Sequence, residues 1–244
     1  MAAEQSAAGF NARVSTTQVS ALVRRRPWYG LSDRAIRVGL KPLVFAASLG
    51  PAASLIWAAL THQLNINPFD EIVKSTGFWS LRFLCLTLAV TPVRWLTGWH
   101  RVVRFRRMMG LFGFFYGTLH VLAYVGFDRF AALDGSERAR PMVMVAHLVW
   151  VIGADVLLRP FFAIGFAAFA LMVPLAATST TGMIRRLGGG RWQTVHRLVY
   201  GAAIASVVHT YWPLTFRVPR YGVILGLVLA LRLGRAYARR PPRR

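Results

Sequence analysis

The chain has 244 residues, 55% of them hydrophobic, with 30 basic residues against 8 acidic ones. A soluble domain of this size needs a surface carrying both charge signs; here apolar blocks of about 17–20 residues alternate with arginine clusters, the pattern of membrane-spanning helices. The formal charge of +22 does not point to nucleic acid, because the arginines lie between apolar blocks rather than on one face. The single cysteine, Cys85, falls inside an apolar block, which excludes a disulfide framework and a CxxCH attachment motif.

Residues 1–41 read as a cytoplasmic N-terminal tail, mostly disordered, rather than a cleavable signal, since the apolar stretch after Arg24, Arg25 and Arg26 is too long for a signal core. Residues 42–235 then predict an all-α membrane domain of six transmembrane helices. The first span, Pro42 to Leu60, carries Gly50-Pro51 as a tolerable kink. The next four are Phe78 to Trp95, Met109 to Phe127, Phe161 to Ala177 and Val195 to Trp212. The sixth, Tyr221 to Leu233, leads into a basic cytoplasmic tail at 236–244.

Arginine placement orients the spans. Arg94, Arg101, Arg104, Arg106 and Arg107 lie between spans two and three, and Arg185, Arg186, Arg191 and Arg197 lie around the start of span five. Arg239, Arg240, Arg243 and Arg244 close the chain. The positive-inside rule puts all three clusters in the cytoplasm, with both termini. Met142 to Leu158 is also apolar, but a crossing there breaks the parity, so it is expected to be an interfacial or re-entrant part of a periplasmic insertion near 128–158. Before it, Asp128, Asp134 and Glu137 balance Arg129, Arg138 and Arg140.

The histidines carry the chemistry. His62 and His100 read as solvated loop residues, and His147 as a packing or interfacial residue in the insertion. His120 lies well inside span three, where an ionisable group is costly and usually functional. His209 lies near the outer end of span five, at a similar depth. From the residues alone, each suits hydrogen-bonded packing or a proton relay, and the pair suits bis-histidine ligation of a b-type haem across a helical bundle. His196 precedes His209 by 13 residues, roughly 20 Å along a helix and about 140° around it. It would sit near the cytoplasmic end of span five, at the level of Arg106 and Arg107.

Several segments resemble one family. They are Thr76-Gly77-Phe78-Trp79-Ser80-Leu81-Arg82-Phe83, Leu88-Ala89-Val90-Thr91-Pro92 and Arg106-Arg107-Met108-Met109-Gly110-Leu111, with Phe115-Tyr116 and His120. Further along are Arg159-Pro160-Phe161, Thr178-Ser179-Thr180 and the run from Arg191 through Trp192, Gln193 and His196 to Tyr200, followed by His209. They are similar to the haem-binding membrane subunit of the periplasmic protein-methionine-sulfoxide reductase system (MsrQ type), within the ferric-reductase-like transmembrane superfamily. The resemblance runs from about Lys41 to the last span.

The resemblance implies a bacterial inner-membrane electron-transfer subunit rather than the catalytic reductase, with haem b, one or two per chain, between helices three and five. It implies a quinol or a cytoplasmic flavin reductase as donor, and a periplasmic molybdopterin methionine sulfoxide reductase as acceptor; FMN is also associated with the family. His120, His196 and His209 match the family's haem-associated histidines, and Arg106 and Arg107 its basic pair. Arg82 either neutralises a haem propionate or snorkels to the interface. The stretch from His120 to Arg159 is longer than the resemblance implies. The competing readings are a stand-alone ferric reductase, for which no residues remain to build a flavin and nicotinamide domain, a haem-free proton-coupled transporter, and a haem-free scaffold.

Overall fold

A computed structural model describes residues 32–126, 140–212 and 220–238, with Leu133 and Gly135. The expected N-terminal tail, most of the charged loop before Pro141 and the terminal arginines lie outside the described residues. Among the described residues all regular structure is helical. The unit ending at Leu40 shows two short helical turns, Asp33–Ala35 and Ile36–Leu40, the first capped by the Ser32 side chain. The second unit holds α1 (Lys41–Leu60), α2 (Pro68–Thr97), α3 (Val103–Ala123), α4 (Pro141–Leu158), α5 (Pro160–Ala177), α6 (Thr181–His196), α7 (Leu198–Tyr211) and α8 (Arg220–Ala238).

Capping explains why α2 starts well before the predicted second span. Asn67 Oδ1 accepts the Asp70 N–H at 3.3 Å, Pro68 takes the first helical position, and Asp70 and Glu71 place negative charge in the first turn. Gly98, with φ of 70°, ends the helix in the left-handed conformation. Thirty residues make a rod of about 45 Å, longer than a hydrocarbon core of about 30 Å. Part of α2 therefore projects beyond the apolar layer.

The anticipated irregularity in α1 has a partner on another helix. Pro51 has no N–H to give the ladder. At the next residue, the Tyr116 hydroxyl of α3 accepts from Ala52 N–H at 3.1 Å and donates to the Ser48 carbonyl at 2.8 Å. Those two backbone groups would pair with each other in an unbroken helix. A side chain inserted into the ladder is one of the few physical causes of a helix bend.

Two buried clusters hold the bundle together. Phe83, Met109, Phe112 and Tyr116 join α2 to α3, with the Phe83 and Tyr116 rings stacked at 5.4 Å. Leu84 and Leu88 of α2 meet Met172 of α5, Val199, Ala202 and Ala203 of α7, and Leu225 and Val228 of α8. The polar Ser80 spans α2 and α3, its hydroxyl donating to the Gly113 carbonyl at 2.9 Å.

Among the described residues five stretches are long and apolar enough to cross a membrane: Asp33–Leu60, Pro68–Thr97, His100–Gly126, Pro141–Leu158 and Pro160–Ala177. This set differs from the predicted six spans. The expected fifth span is split: His196 ends α6, and α7 has 14 residues, about 21 Å, short of the apolar layer. Yet Arg197 between them keeps helical angles (φ −69°, ψ −21°), so the backbone path continues through the joint. The expected sixth span, α8, also falls outside the set. Conversely, the segment read as an insertion is the regular 18-residue helix α4 and falls inside it. Among the described residues α4 packs its length against α5, and a single extended residue, Arg159, separates the two.

Candidate functional site

α3 and α7 each bring one histidine to the same place. The His120 and His209 rings lie 6.1 Å apart, centre to centre, with planes at 80°. His120 Nδ1 is 2.8 Å from the Val73 carbonyl of α2, and His209 Nδ1 is 2.9 Å from the Phe161 carbonyl of α5. A carbonyl only accepts, so in both rings Nδ1 carries the proton and Nε2 keeps its lone pair. This is the arrangement that orients metal-bound imidazoles, with a backbone acceptor fixing the tautomer from behind.

Two glycines make these contacts possible. A Cβ at Gly77 would lie 3.0 Å from His120 Nδ1, and one at Gly165 would lie 2.6 Å from His209 Cε1. Each imidazole therefore rests against the bare backbone of a neighbouring helix. The Phe161 ring covers His209, stacked at 4.2 Å and 15°.

The spacing suits a shared metal. Two imidazoles ligating one ion from opposite sides, each at about 2 Å, hold their centres roughly 6 Å apart. The donor set is two neutral nitrogens, which matches an iron whose remaining ligands come from a macrocycle. The residues present thus fit a haem iron.

His196 sits apart from this pair, as the helical rise requires. Its Nδ1 donates to the Trp192 carbonyl one turn back at 3.1 Å, and its ring stacks on Trp192 at 3.9 Å. Trp192 Nε1 in turn donates to the Thr178 carbonyl at 3.1 Å, tying α6 to the end of α5. The expected basic pair divides: Arg106 is half-buried and its charge reaches His196, whereas Arg107 is exposed. Arg82 is half-buried, its Nε donating to the Tyr221 hydroxyl at 2.6 Å and its guanidinium lying 4.4 Å from the Trp79 ring centre. It is a link between α2 and α8 here.

Residues 76–207 match the family model of the ferric reductase like transmembrane component. A protein-methionine-sulfoxide reductase heme-binding subunit MsrQ from Herminiimonas arsenicoxydans is 42% identical over 82% of this chain and 87% of its own length. The MsrQ of Bordetella pertussis is 43% identical over 86% of this chain and 96% of its own, and that of Ralstonia nicotianae 42% identical over 83% and 86%. The chain belongs to the MsrQ branch of the ferric-reductase-like transmembrane family.

Some residues around these histidines in this MsrQ-family chain escape sequence reasoning. Gly165 lies in an ordinary apolar run, and nothing local says whose ring crosses it. Arg232 did give a signal, being an arginine within an apolar stretch. Its guanidinium donates to the Tyr200 hydroxyl at 2.7 Å and to the Thr91 hydroxyl, and Arg106 lies within reach of its charge. Among the described residues a surface hollow lined by Asn65, Asn67, Asp70, Glu71 and Lys74 lies in the α1–α2 connection and contains none of the site histidines.

Proposed function

We propose that the chain is a haem-binding electron-transfer subunit of a methionine sulfoxide reductase system, in which His120 and His209 would hold the iron of a b-type haem between α3 and α7. The observation that carries this is the facing pair of imidazoles, each with Nδ1 tied to a backbone carbonyl and Nε2 free. The relatives from Herminiimonas arsenicoxydans and Bordetella pertussis are named as heme-binding subunits of such a system, which supports the same reading.

Haem, when bound, supplies one-electron redox chemistry at an iron whose potential the protein sets. The chain's own residues hold and bury it. Phe161 and the helix backbones at Gly77 and Gly165 restrict both rings. His196, with the Arg106 charge near it, would hold a second haem on the arginine-rich side. Electrons then enter from the cytoplasmic side, from quinol or a flavin donor. Trp192, Gln193 and the loop arginines on that side would receive the quinol or the phosphate of a flavin such as FMN, and the electrons pass on outward. They leave at the periplasmic side to a molybdopterin methionine sulfoxide reductase, in a bacterial inner membrane with both chain termini inside.

The test is a dithionite-reduced minus oxidised spectrum of the protein in mild detergent, for wild type and His120→Ala. A b-type α-band that collapses in the variant is the expected result. A well-folded wild type without a haem band overturns the proposal.

A further inference from the structure

Among the described residues Asp155, near the end of α4, is the buried acid, 6% exposed. The Tyr124 hydroxyl donates to its Oδ2, and Arg159 Nη1 lies 3.6 Å from its Oδ1. A buried carboxylate is costly unless paired and hydrogen-bonded, and these two partners meet that requirement. Both lead to the histidine pair.

Tyr124 caps the end of α3, its backbone N–H bonding to the His120 carbonyl one turn back. Its ring packs on Phe162 at 5.2 Å, and the Arg159 guanidinium lies 5.8 Å from the same Phe162 ring. The neighbouring Phe161 supplies both the carbonyl and the stacked ring that hold His209. One carboxylate therefore ties the helix end carrying His120 to the helix start that anchors His209.

We infer that Asp155 is a positioning residue for haem ligation, setting the separation of the two imidazoles from the α4–α5 corner. This rests on the bis-histidine reading above. Its fixed negative charge also favours the oxidised, more positive iron and so lowers the haem potential. The consequence reaches α4: a helix packed along α5 is coupled through its last turn to the ligand spacing.

The experiment compares wild type, Asp155→Asn, Asp155→Ala and Tyr124→Phe in detergent. It reads haem transfer to apomyoglobin, the low-spin ferric EPR signal and the midpoint potential. Asp155→Asn can still accept from Tyr124, so haem retention stays at the wild-type level while the potential rises. Tyr124→Phe keeps the charge and loses the bond, so haem leaves about fivefold faster, the scale of one hydrogen bond, and the EPR signal shifts. Asp155→Ala shows both effects. A purely structural role would lower the melting temperature with and without haem and leave EPR signal and potential unmoved; that result in Asp155→Asn and Tyr124→Phe overturns the inference. Absence of haem from wild type overturns the bis-histidine reading itself, and this inference with it.

Discussion

At the scale of single residues the site depends on missing atoms. Gly165→Ala places a methyl 2.6 Å from the His209 ring, against a helix backbone that cannot retreat. The imidazole must turn, which breaks its bond to Phe161 and misdirects Nε2. We expect Gly165→Ala to lose most of its haem, measured as pyridine haemochrome per protein. Gly77→Ala, where the contact is 3.0 Å, should lose less. If both variants bind haem as wild type does, the imidazoles do not use these surfaces. The histidines themselves were legible in the sequence, because a titratable ring in an apolar span is costly and two at one depth are a pair. Their glycine beds were not, since contact between helices is set by packing and leaves no mark at the glycine.

Between elements, polar side chains add to the apolar clusters. Arg232 fastens α8 to α7 and α2 through two hydroxyls, with the apolar Leu225 and Val228 higher on the same helix. Arg232→Leu removes both bonds, and we expect a loss of about 2–3 kcal/mol, seen as a lower melting temperature in detergent. Arg232→Lys should rescue little, because a single ammonium cannot fork to Tyr200 and Thr91 together. Full rescue by lysine would show that charge alone matters there. The C-terminal end of α2 is set by local capping at Gly98, three residues beyond the predicted end at Trp95. The early start of α2 was readable in principle, from Asn67-Pro68 with two acids following. The apolar pattern used to draw the span ignores these polar turns and so began it late.

For the whole molecule the open quantity is the path of the chain across the bilayer. Apolarity and length select five stretches, whereas arginine placement calls for six crossings with α4 outside the count. The two criteria part where a helix is short, as in α7, or carries arginines, as in α8. Both of these helices are packed into the bundle, so neighbours supply the apolar surroundings that their own sequences lack. Cys85 is buried, which leaves introduced cysteines readable by membrane-impermeant thiol reagents. We expect Arg104→Cys to label from the cytoplasmic side and Ile66→Cys from the periplasmic side. Trp150→Cys, midway along α4, should label from the periplasm if α4 lies at the surface. Complete protection at that position would make α4 a crossing and reverse the count after it.

The Tyr116 hydroxyl also dictates an order of construction. α1 leaves the ribosome before α3 exists, so during insertion Ala52 and Ser48 lack the group that later sits between them. α1 is therefore completed only when α3 arrives beside it.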